Sequence, residues 1–139
     1  MSLYSSSESP TARLAESVAR LEFAAIPPEV TAHIKLCILD TLGCALYGST
    51  LPWGKTIIEF AKECGQGRGA LIWRDGAEVP SANAPLANGT LVHSFELDDI
   101  HRDAVLHPGA VVLPAADALV RGAEIDGKRR LSLGGDRQV

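Results

Sequence analysis

Apolar side chains recur at helical spacing near the start of the chain. Ser9 and Pro10 supply an N-cap and a first-turn proline, and the Pro27–Pro28 pair ends the pattern. We therefore predict an amphipathic helix that begins at Pro10 and runs as far as Pro27. The residues on its apolar face are Leu14, Val18, Leu21 and Ala25.

A longer and more apolar segment follows, from Pro28 to Gly48. A helix at a protein surface has one apolar and one polar face, whereas this segment has too little polarity for a polar face. The residues that break its apolar surface between positions 34 and 46 are Lys35, Asp40 and Thr41. We predict a central helix that is nearly enclosed by the rest of the protein.

A third helix and a hairpin are predicted in the middle of the chain. Pro52 and Gly65 bound the helix, and its inward side chains are expected to be Ile57, Ile58, Phe60 and Ala61. Two short apolar runs then flank an Asp75–Gly76 turn signal. This arrangement predicts a β-hairpin near residues 70–80.

Two further helices are predicted on either side of a charged segment. The first, about Ser81–Phe95, is rich in alanine and glycine, which let another backbone approach closely. The second starts after His107 and ends near Gly122, and Pro114 is expected to kink its start or delay its onset. Helical periodicity is lost in between. The pattern predicts a mostly α-helical fold with one short hairpin.

Length and charge narrow the possible functions. A chain of 139 residues is one domain's worth at most. Its 13 lysines and arginines against 17 aspartates and glutamates give a net charge of −4, and its longest basic run is Lys128–Arg130, so we expect no nucleic-acid partner. Every apolar stretch is interrupted before the ~20 residues that span a bilayer, and the Ser-rich start lacks the features of a signal peptide. We expect a soluble, cytoplasmic protein with no membrane partner.

The three cysteines do not indicate a redox or metal function. Cys37, Cys44 and Cys64 form neither an even disulfide framework nor a Cys-x-x-Cys motif. Their spacing also gives no support to an iron–sulfur cluster. We expect them to be buried, reduced packing residues.

The most informative segment lies between the last two predicted helices and includes the adjoining ends of both. Here carboxylates and imidazoles stand in otherwise apolar sequence: Glu96, Asp98, Asp99, His93, His101 and His107. Charged groups held at the edge of an apolar core are typical of an active site.

His107 directly precedes Pro108 at a predicted helix start. The positive end of the helix dipole disfavours imidazolium there and offers free backbone N–H groups to an anionic ligand. A neutral imidazole can accept a proton, so His107 is a candidate general base, general acid or hydrogen-bond donor beside a substrate carboxylate. The alternative is a histidine that merely caps the structure.

Each of the other charged residues has a structural alternative. One of the Asp98–Asp99 pair is expected to cap the following helix, because two adjacent carboxylates seldom share one role. His101 is either a ligand for a substrate carboxylate or a solvated loop residue. His93 lies on a mostly apolar helix face, which favours a hydrogen-bonded core histidine over a functional one.

No metal-binding motif is complete in this segment. Asp98, Asp99 and Asp103 approach the Asp-Asp-x-x-Asp pattern that holds magnesium in helical prenyl synthases, but Asp103 is one residue too far along. The His-Asp dipeptide of helical phosphohydrolases is also absent. We therefore expect no metal ligand among these residues.

Several motifs resemble those of the MmgE/PrpD family. They are Asn88–Gly89, His93, the run Glu96-Leu97-Asp98-Asp99, His101 and His107–Pro114, with Ile26–Val30 and Leu39–Leu46 upstream. The resemblance runs from about residue 11 to residue 128 and corresponds to the N-terminal portion of a family member. It implies an all-helical domain and a lyase of the 2-methylcitrate dehydratase or cis-aconitate decarboxylase kind, or an epimerase of the iminodisuccinate kind.

The resemblance also implies a reaction on a small di- or tricarboxylate, without a cofactor and in a homodimer. The catalytic residues that it implies are His107, Glu96 and Asp99, and the substrate-binding residues are Asp98 and His101. Two positions depart from the family pattern Asp-Phe-Asp-Asp-Thr, since Glu96 replaces the first aspartate and Ile100 the threonine. Loss of the threonine hydroxyl can cost ~1 kcal/mol or more of recognition, so both changes bear on which acid is the substrate.

The two ends of the chain differ from its middle. Residues 10–128 resemble the N-terminal segment of the family's helical domain, residues 1–9 are expected to be flexible, and residues 129–139 form an atypical tail. The tail suggests a frameshift, a premature stop or a split gene. The family draws further active-site residues, including a lysine and more histidines, from regions outside this sequence, so we expect the isolated chain to be incomplete as a catalyst. The competing hypothesis is a non-catalytic helical domain that serves as a dimerisation or subunit-like partner, or a decayed gene product.

Overall fold

The computed structural model describes residues 9–65, 67 and 69–125, and only the backbone of residues 123–125. Residues 1–8 of the flexible start predicted over residues 1–9, and the atypical tail predicted over residues 129–139, lie outside the described residues. The described residues divide into two compact units, one of residues 9–31 and the other of those from residue 32 onwards.

The first unit contains helix α1 (Pro10–Arg20), which begins where the sequence predicted. The Ser9 hydroxyl accepts a hydrogen bond from the Ala12 N–H at 3.1 Å and so caps the first turn. The predicted extension to Pro27 is wrong, because the backbone becomes extended at Leu21 and then forms a 3₁₀ turn at Phe23–Ala25.

The other helices and the hairpin follow in chain order. They are α2 (Pro28–Gly48), α3 (Pro52–Glu63), strands β1 (Ala70–Leu71) and β2 (Glu78–Val79), α4 (Asn83–His93) and α5 (Pro108–Ile125). Helices α2, α3 and α5 all begin at a proline, whose missing N–H is not needed in the first helical turn. The mostly α-helical class with one short hairpin is confirmed.

The hairpin is held against α4 by one buried side chain. Its strands pair antiparallel, with Ala70 opposite Val79 and Leu71 opposite Glu78. The amide of Asn88 on α4 accepts a hydrogen bond from the Trp73 N–H at 2.9 Å and donates one to the Leu71 carbonyl at 3.0 Å. A single asparagine therefore satisfies two backbone groups at the end of the strand.

Helices α4 and α5 approach each other closely at Gly89. A Cβ atom at this position would lie 2.6 Å from the Ala110 carbonyl oxygen. Residue 114 would donate to that oxygen in a regular helix, but Pro114 has no N–H. The proline thus frees a carbonyl that faces Gly89. Because α5 already begins at Pro108, the predicted delay of its onset is wrong.

Small side chains make up most of the core of the second unit. Among the described residues, seven of the thirteen that form this apolar core are alanines, so the backbones approach closely with little side-chain bulk between them. The full set is Cys44, Ala45, Ile58, Ala61, Ala70, Ile72, Val79, Ala84, Ala87, Leu91, Val92, Ala110 and Ala118.

The predicted enclosure of α2 is wrong. The residues that α2 buries are Thr41, Cys44, Ala45 and Gly48, all near its C-terminal end. Leu36 and Leu39 are 64% and 68% exposed, which shows that the described residues of the second unit leave one apolar face of α2 without cover. Phe60 of α3, predicted to face inward, is also exposed, whereas Ile58 and Ala61 are buried as expected.

The cysteine prediction holds in part. Cys37, Cys44 and Cys64 are all free thiols, but only Cys44 is buried; Cys37 is half-buried and Cys64 is exposed.

Helix α2 is long and apolar enough to cross a membrane by length and composition, contrary to the expectation from the sequence. A single such helix is weak evidence, because buried core helices pass the same test. We assign no membrane location on this ground.

Candidate active site

The loop of residues 94–107 joins α4 to α5 and carries most of the charged residues singled out in the sequence. Its first residue is anchored on two sides. The Trp53 indole N–H donates to the Ser94 carbonyl at 2.9 Å, and the Ser94 hydroxyl donates to the Leu91 carbonyl at 2.8 Å. Helix α3 and the end of α4 therefore fix where the loop begins.

Two residues of this loop adopt a left-handed backbone conformation, Glu96 at φ 55° and Val105 at φ 49°. Neither is a glycine, so each conformation costs about 1 kcal/mol or more. Further along the loop, His101 and Leu106 exchange two backbone hydrogen bonds of 2.8 and 3.3 Å, which close its far part. Strain of this kind is found at functional sites, where the surrounding structure holds it in place.

A buried carboxylate lies between two imidazole rings at the base of the loop. The Asp98 side chain is 0% exposed, and His93 Nδ1 lies 3.1 and 3.3 Å from its two oxygens. His107 Nδ1 lies 3.3 Å from the same Asp98 Oδ1. The two imidazole centres are 4.5 Å apart, with their planes tilted by 57°. We call His93, Asp98 and His107 the His–Asp–His cluster.

The two histidines do not contact Asp98 equally. His93 Nδ1 is placed for a hydrogen bond. His107 Nδ1 is within ion-pair distance but misaligned, so this buried nitrogen has no hydrogen-bond partner among the described residues. We give more weight to the alignment than to the distance, because a hydrogen bond weakens steeply when it is bent. A rotation of the His107 ring would complete the contact.

The Asp98 carboxylate determines which nitrogen of each imidazole can accept a proton. A buried carboxylate needs hydrogen-bond donors or opposite charge, and no lysine or arginine in the described ranges forms an ion pair with Asp98. An imidazole that donates from Nδ1 to a carboxylate keeps its lone pair on Nε2. The cluster can therefore present Nε2 as a proton acceptor, with the ring orientation held from behind.

Asp99 has a different role from its neighbour. Its Oδ1 accepts the Gly109 N–H at 2.9 Å and so caps the first turn of α5, as expected for one residue of the pair. A Cβ atom at Gly109 would lie 2.5 Å from both Asp99 Oδ1 and the Thr41 hydroxyl, so a larger residue here would have to displace both side chains. Part of the anion site predicted at this helix start is thus filled by Asp99.

Glu96 and His101 lie apart from the cluster in their contacts. Both are exposed, and no hydrogen bond or ion pair between described residues joins either side chain to Asp98 or His107. His101 Nδ1 accepts the Ala104 N–H at 3.2 Å, which is a contact within the loop. The roles that the resemblance implies for these two residues stay predictions.

The sequence interpretation of His93 as a core histidine is wrong. Its side chain is 45% exposed and it lies at the last residue of α4, where it turns towards Asp98. The spacing of five residues between the two gave no helical signal, because the chain leaves the helix between them. What the sequence did offer was the place of His93 among the motifs that resemble the family.

The field around the cluster is negative. Burial raises the pKa of the Cys44 thiol on α2, and three carboxylates act in the same direction: Asp40, Asp98 and Asp99. Cys44 is therefore a protonated, weakly nucleophilic thiol at neutral pH.

Comparison with known proteins adds to this geometry. Residues 12–132 match the MmgE/PrpD N-terminal domain. The chain belongs to the MmgE/PrpD family. No solved structure gives a significant match to the chain.

Curated relatives of this family member share a name. The chain is 35% identical over 122 residues to a cis-aconitate decarboxylase-like protein of Aspergillus oryzae. It is 29% identical over 108 residues to a cis-aconitate decarboxylase of Aspergillus terreus and 28% identical over 122 residues to that of Homo sapiens. These matches cover 85%, 78% and 84% of the chain but 24%, 22% and 25% of the relatives. The chain thus spans about a quarter of the length of the curated relatives that it matches.

Proposed function

We propose that this chain carries the proton-transfer part of an MmgE/PrpD lyase that acts on a small di- or tricarboxylate. The observation that carries the proposal is the buried Asp98 carboxylate facing Nδ1 of both His93 and His107. This arrangement directs the free Nε2 of His107 away from the carboxylate, as a general acid or base requires.

Decarboxylation of cis-aconitate is the first candidate reaction, because the relatives above bear that name. The bond between a carboxylate carbon and its neighbour breaks, CO₂ leaves, and the electron pair stays on the neighbouring carbon. His107 enters this step as the imidazolium beside Asp98, gives its Nε2 proton to that carbon, and takes up a new proton from solvent before the next turnover. A dehydratase would use the same imidazole in the opposite sense, to remove a proton next to a carboxylate.

The other residues have smaller parts in the proposal. Asp98 is a positioning residue, since it holds the ring of His107 rather than touching the substrate. Catalytic roles for Glu96 and Asp99, and a substrate-binding role for His101, rest on the resemblance alone.

The chain by itself should not turn over substrate. A carbanion or enolate-like intermediate needs cationic or hydrogen-bonding partners, and the cluster contains no lysine or arginine. The proposal therefore includes a longer enzyme in which other regions supply these groups. We take that enzyme to be dimeric, as the resemblance implies, and cytoplasmic. Turnover of cis-aconitate or 2-methylcitrate by the isolated 139-residue chain would contradict this part.

A chimera provides the direct test. Residues 12–125 would replace the matching segment of the Aspergillus terreus cis-aconitate decarboxylase, and CO₂ release from cis-aconitate would be measured. We expect turnover, and a loss of ~10²-fold or more for His107→Ala, the scale of a lost general acid or base.

His33→Ala is the matched control, because His33 is an exposed histidine on α2 outside the cluster. Its turnover should match that of the parent chimera. A chimera that melts cooperatively but releases no CO₂ would argue against the decarboxylase assignment, and 2-methylcitrate would be the next substrate to test. Normal turnover by His107→Ala would contradict the catalytic role of this histidine.

A second candidate function is supported by the exposed apolar face of α2. A non-catalytic subunit-like partner would use Leu36, Leu39 and their neighbours to bind another protein. Substitution of these leucines would then abolish binding to that protein, whereas His107→Ala would leave the binding unchanged.

A further inference from the structure

We propose that the His–Asp–His cluster is a binding site for one divalent transition-metal ion of the zinc type. The proposal goes beyond the lyase function and does not depend on it, since the site lies wholly within this chain. It also differs from the expectation, drawn from the sequence, that these residues bind no metal.

The distances suit a metal ion. One nitrogen of each histidine and one oxygen of Asp98 all lie within 4.8 Å of one another. The two contacts to Asp98 Oδ1 are 3.1 and 3.3 Å. Zinc binds nitrogen and oxygen at about 2.0–2.2 Å, so two of its tetrahedral ligands lie roughly 3.3–3.6 Å apart. A relative movement of at most about 1.5 Å would bring the most distant pair of these ligand atoms to that separation.

His107 Nδ1 is the second observation in favour of an ion. It is buried, faces the carboxylate, and makes no hydrogen bond to any described residue. Buried polar atoms in folded proteins are normally satisfied, so a nitrogen without a partner in this position calls for one. A metal ion between this nitrogen and Asp98 would supply one.

The charge of the surroundings acts in the same direction. Asp98 is fully buried, and Asp99 follows it directly in the chain. No lysine or arginine within the described ranges pairs with either carboxylate. A cation is thus attracted to the cluster, and the mixture of two imidazoles with one carboxylate favours zinc, cobalt or iron over magnesium or calcium, which prefer oxygen ligands.

Such an ion would be incompatible with the role of His107 as a base. Metal binding at Nδ1 leaves the imidazole proton on Nε2, the nitrogen that the proposed reaction uses. The site would then be inhibitory for a reaction in which His107 acts as the base. The experiment below measures binding alone, so its outcome is separate from that of the activity test.

Zinc alone, added to the purified chain after chelator treatment, is the probe. Calorimetric titration should show one ion per chain with micromolar or tighter affinity, and Co²⁺ should give the visible absorption of a low-symmetry, nitrogen- and oxygen-bound site. Because loss of a residue that only supports a ligand costs 10–100-fold in metal affinity, His93→Ala should weaken zinc binding by roughly 100-fold. His93 is the primary variant, since it is exposed and its replacement should leave the fold intact.

His33→Ala is the matched control and also addresses a rival. His33 Nε2 lies 3.6 Å from the Cys37 thiol, so this pair is another place where a histidine could help to hold a soft ion. Zinc affinity should be unchanged in this variant. Binding that survives both His93→Ala and His107→Ala, binding that His33→Ala removes, or the absence of saturable zinc binding would each overturn the proposal. Far-ultraviolet circular dichroism of each variant would confirm that the helices remain.

Discussion

Helices α2 and α4 are both largely apolar, yet they differ in how much of their apolar surface is buried. The shorter helix, α4, buries Ala84, Ala87, Asn88, Leu91 and Val92, each at 1% exposure or less. The longer helix, α2, buries four residues near its C-terminal end and exposes the leucines before them. Apolar composition therefore indicates only that a helix must pack its apolar surface against other apolar surface. Whether the cover is present depends on the neighbouring elements, and α4 has α3, α5 and the hairpin around it.

The largest expected difference between the two helices comes from one identical substitution. Leu91→Ala on α4 removes a fully buried side chain and should lower the free energy of unfolding by about 2–5 kcal/mol. Leu39→Ala on α2 removes an exposed one and should change it by less than about 0.5 kcal/mol. Urea denaturation of both variants checks the pair. Equal losses would mean that Leu39 is covered in solution.

The exposed face of α2 should drive association. Leu36 and Leu39 lie three residues apart on one side of the helix, and each buried leucine contributes about 1.5–3 kcal/mol. We expect the purified chain to self-associate, and the double variant Leu36→Glu, Leu39→Glu to weaken association by roughly 100-fold. Light scattering over a range of concentrations measures both.

A charge added in the loop, away from α2 in the sequence, controls for the effect of added charge on solubility. Val105→Glu also adds a carboxylate at an exposed apolar residue, but in the loop rather than on α2. It should leave association unchanged. A monodisperse, cooperatively melting monomer for the parent chain would contradict the prediction and indicate that the chain needs no cover for α2.

The polar part of the α4 interface should have an intermediate effect. Asn88→Ala leaves the Trp73 N–H and the Leu71 carbonyl without their partner, which should cost about 1–3 kcal/mol. Thr90→Ala, two residues along the same helix, removes a hydroxyl that bonds only within the helix and should cost less than about 1 kcal/mol. Thermal melting compares the two, and similar shifts would show that the asparagine does not hold the hairpin.

The features predicted correctly from the sequence are those that depend on neighbouring residues. Ser9–Pro10, Pro28, Pro52 and Pro108 mark helix starts because the geometry of a first turn is local. The Asp75–Gly76 turn likewise identified the hairpin, since Gly76 adopts a left-handed conformation at φ 78°.

The features predicted wrongly depend on contacts distant in the chain. The enclosure of α2 and the inward position of Phe60 were inferred from composition, which does not show which surfaces the chain itself can cover. Between His93 and Asp98 the backbone adopts a left-handed conformation at Glu96, which the residue type of a glutamate does not signal. The sequence therefore predicted that the charged segment forms a site, but it did not predict which residues of the segment contact each other.

The smallest expected effect concerns the one part of α2 that is covered. Cys44 lies there, and burial together with nearby carboxylates raises its pKa above the ordinary value of 9.0. A group whose pKa is higher in the folded state keeps its proton when folded, while the unfolded chain loses it first as the pH rises. Stability that is present below pH 9.0 should therefore be lost progressively above it. Cys44→Ala should show a flatter decline of melting temperature on the alkaline side than the parent chain. Cys64→Ala, at an exposed thiol, should decline as the parent does. Identical alkaline slopes for the parent and Cys44→Ala would mean that this end of α2 is as open to solvent as the leucines that precede it.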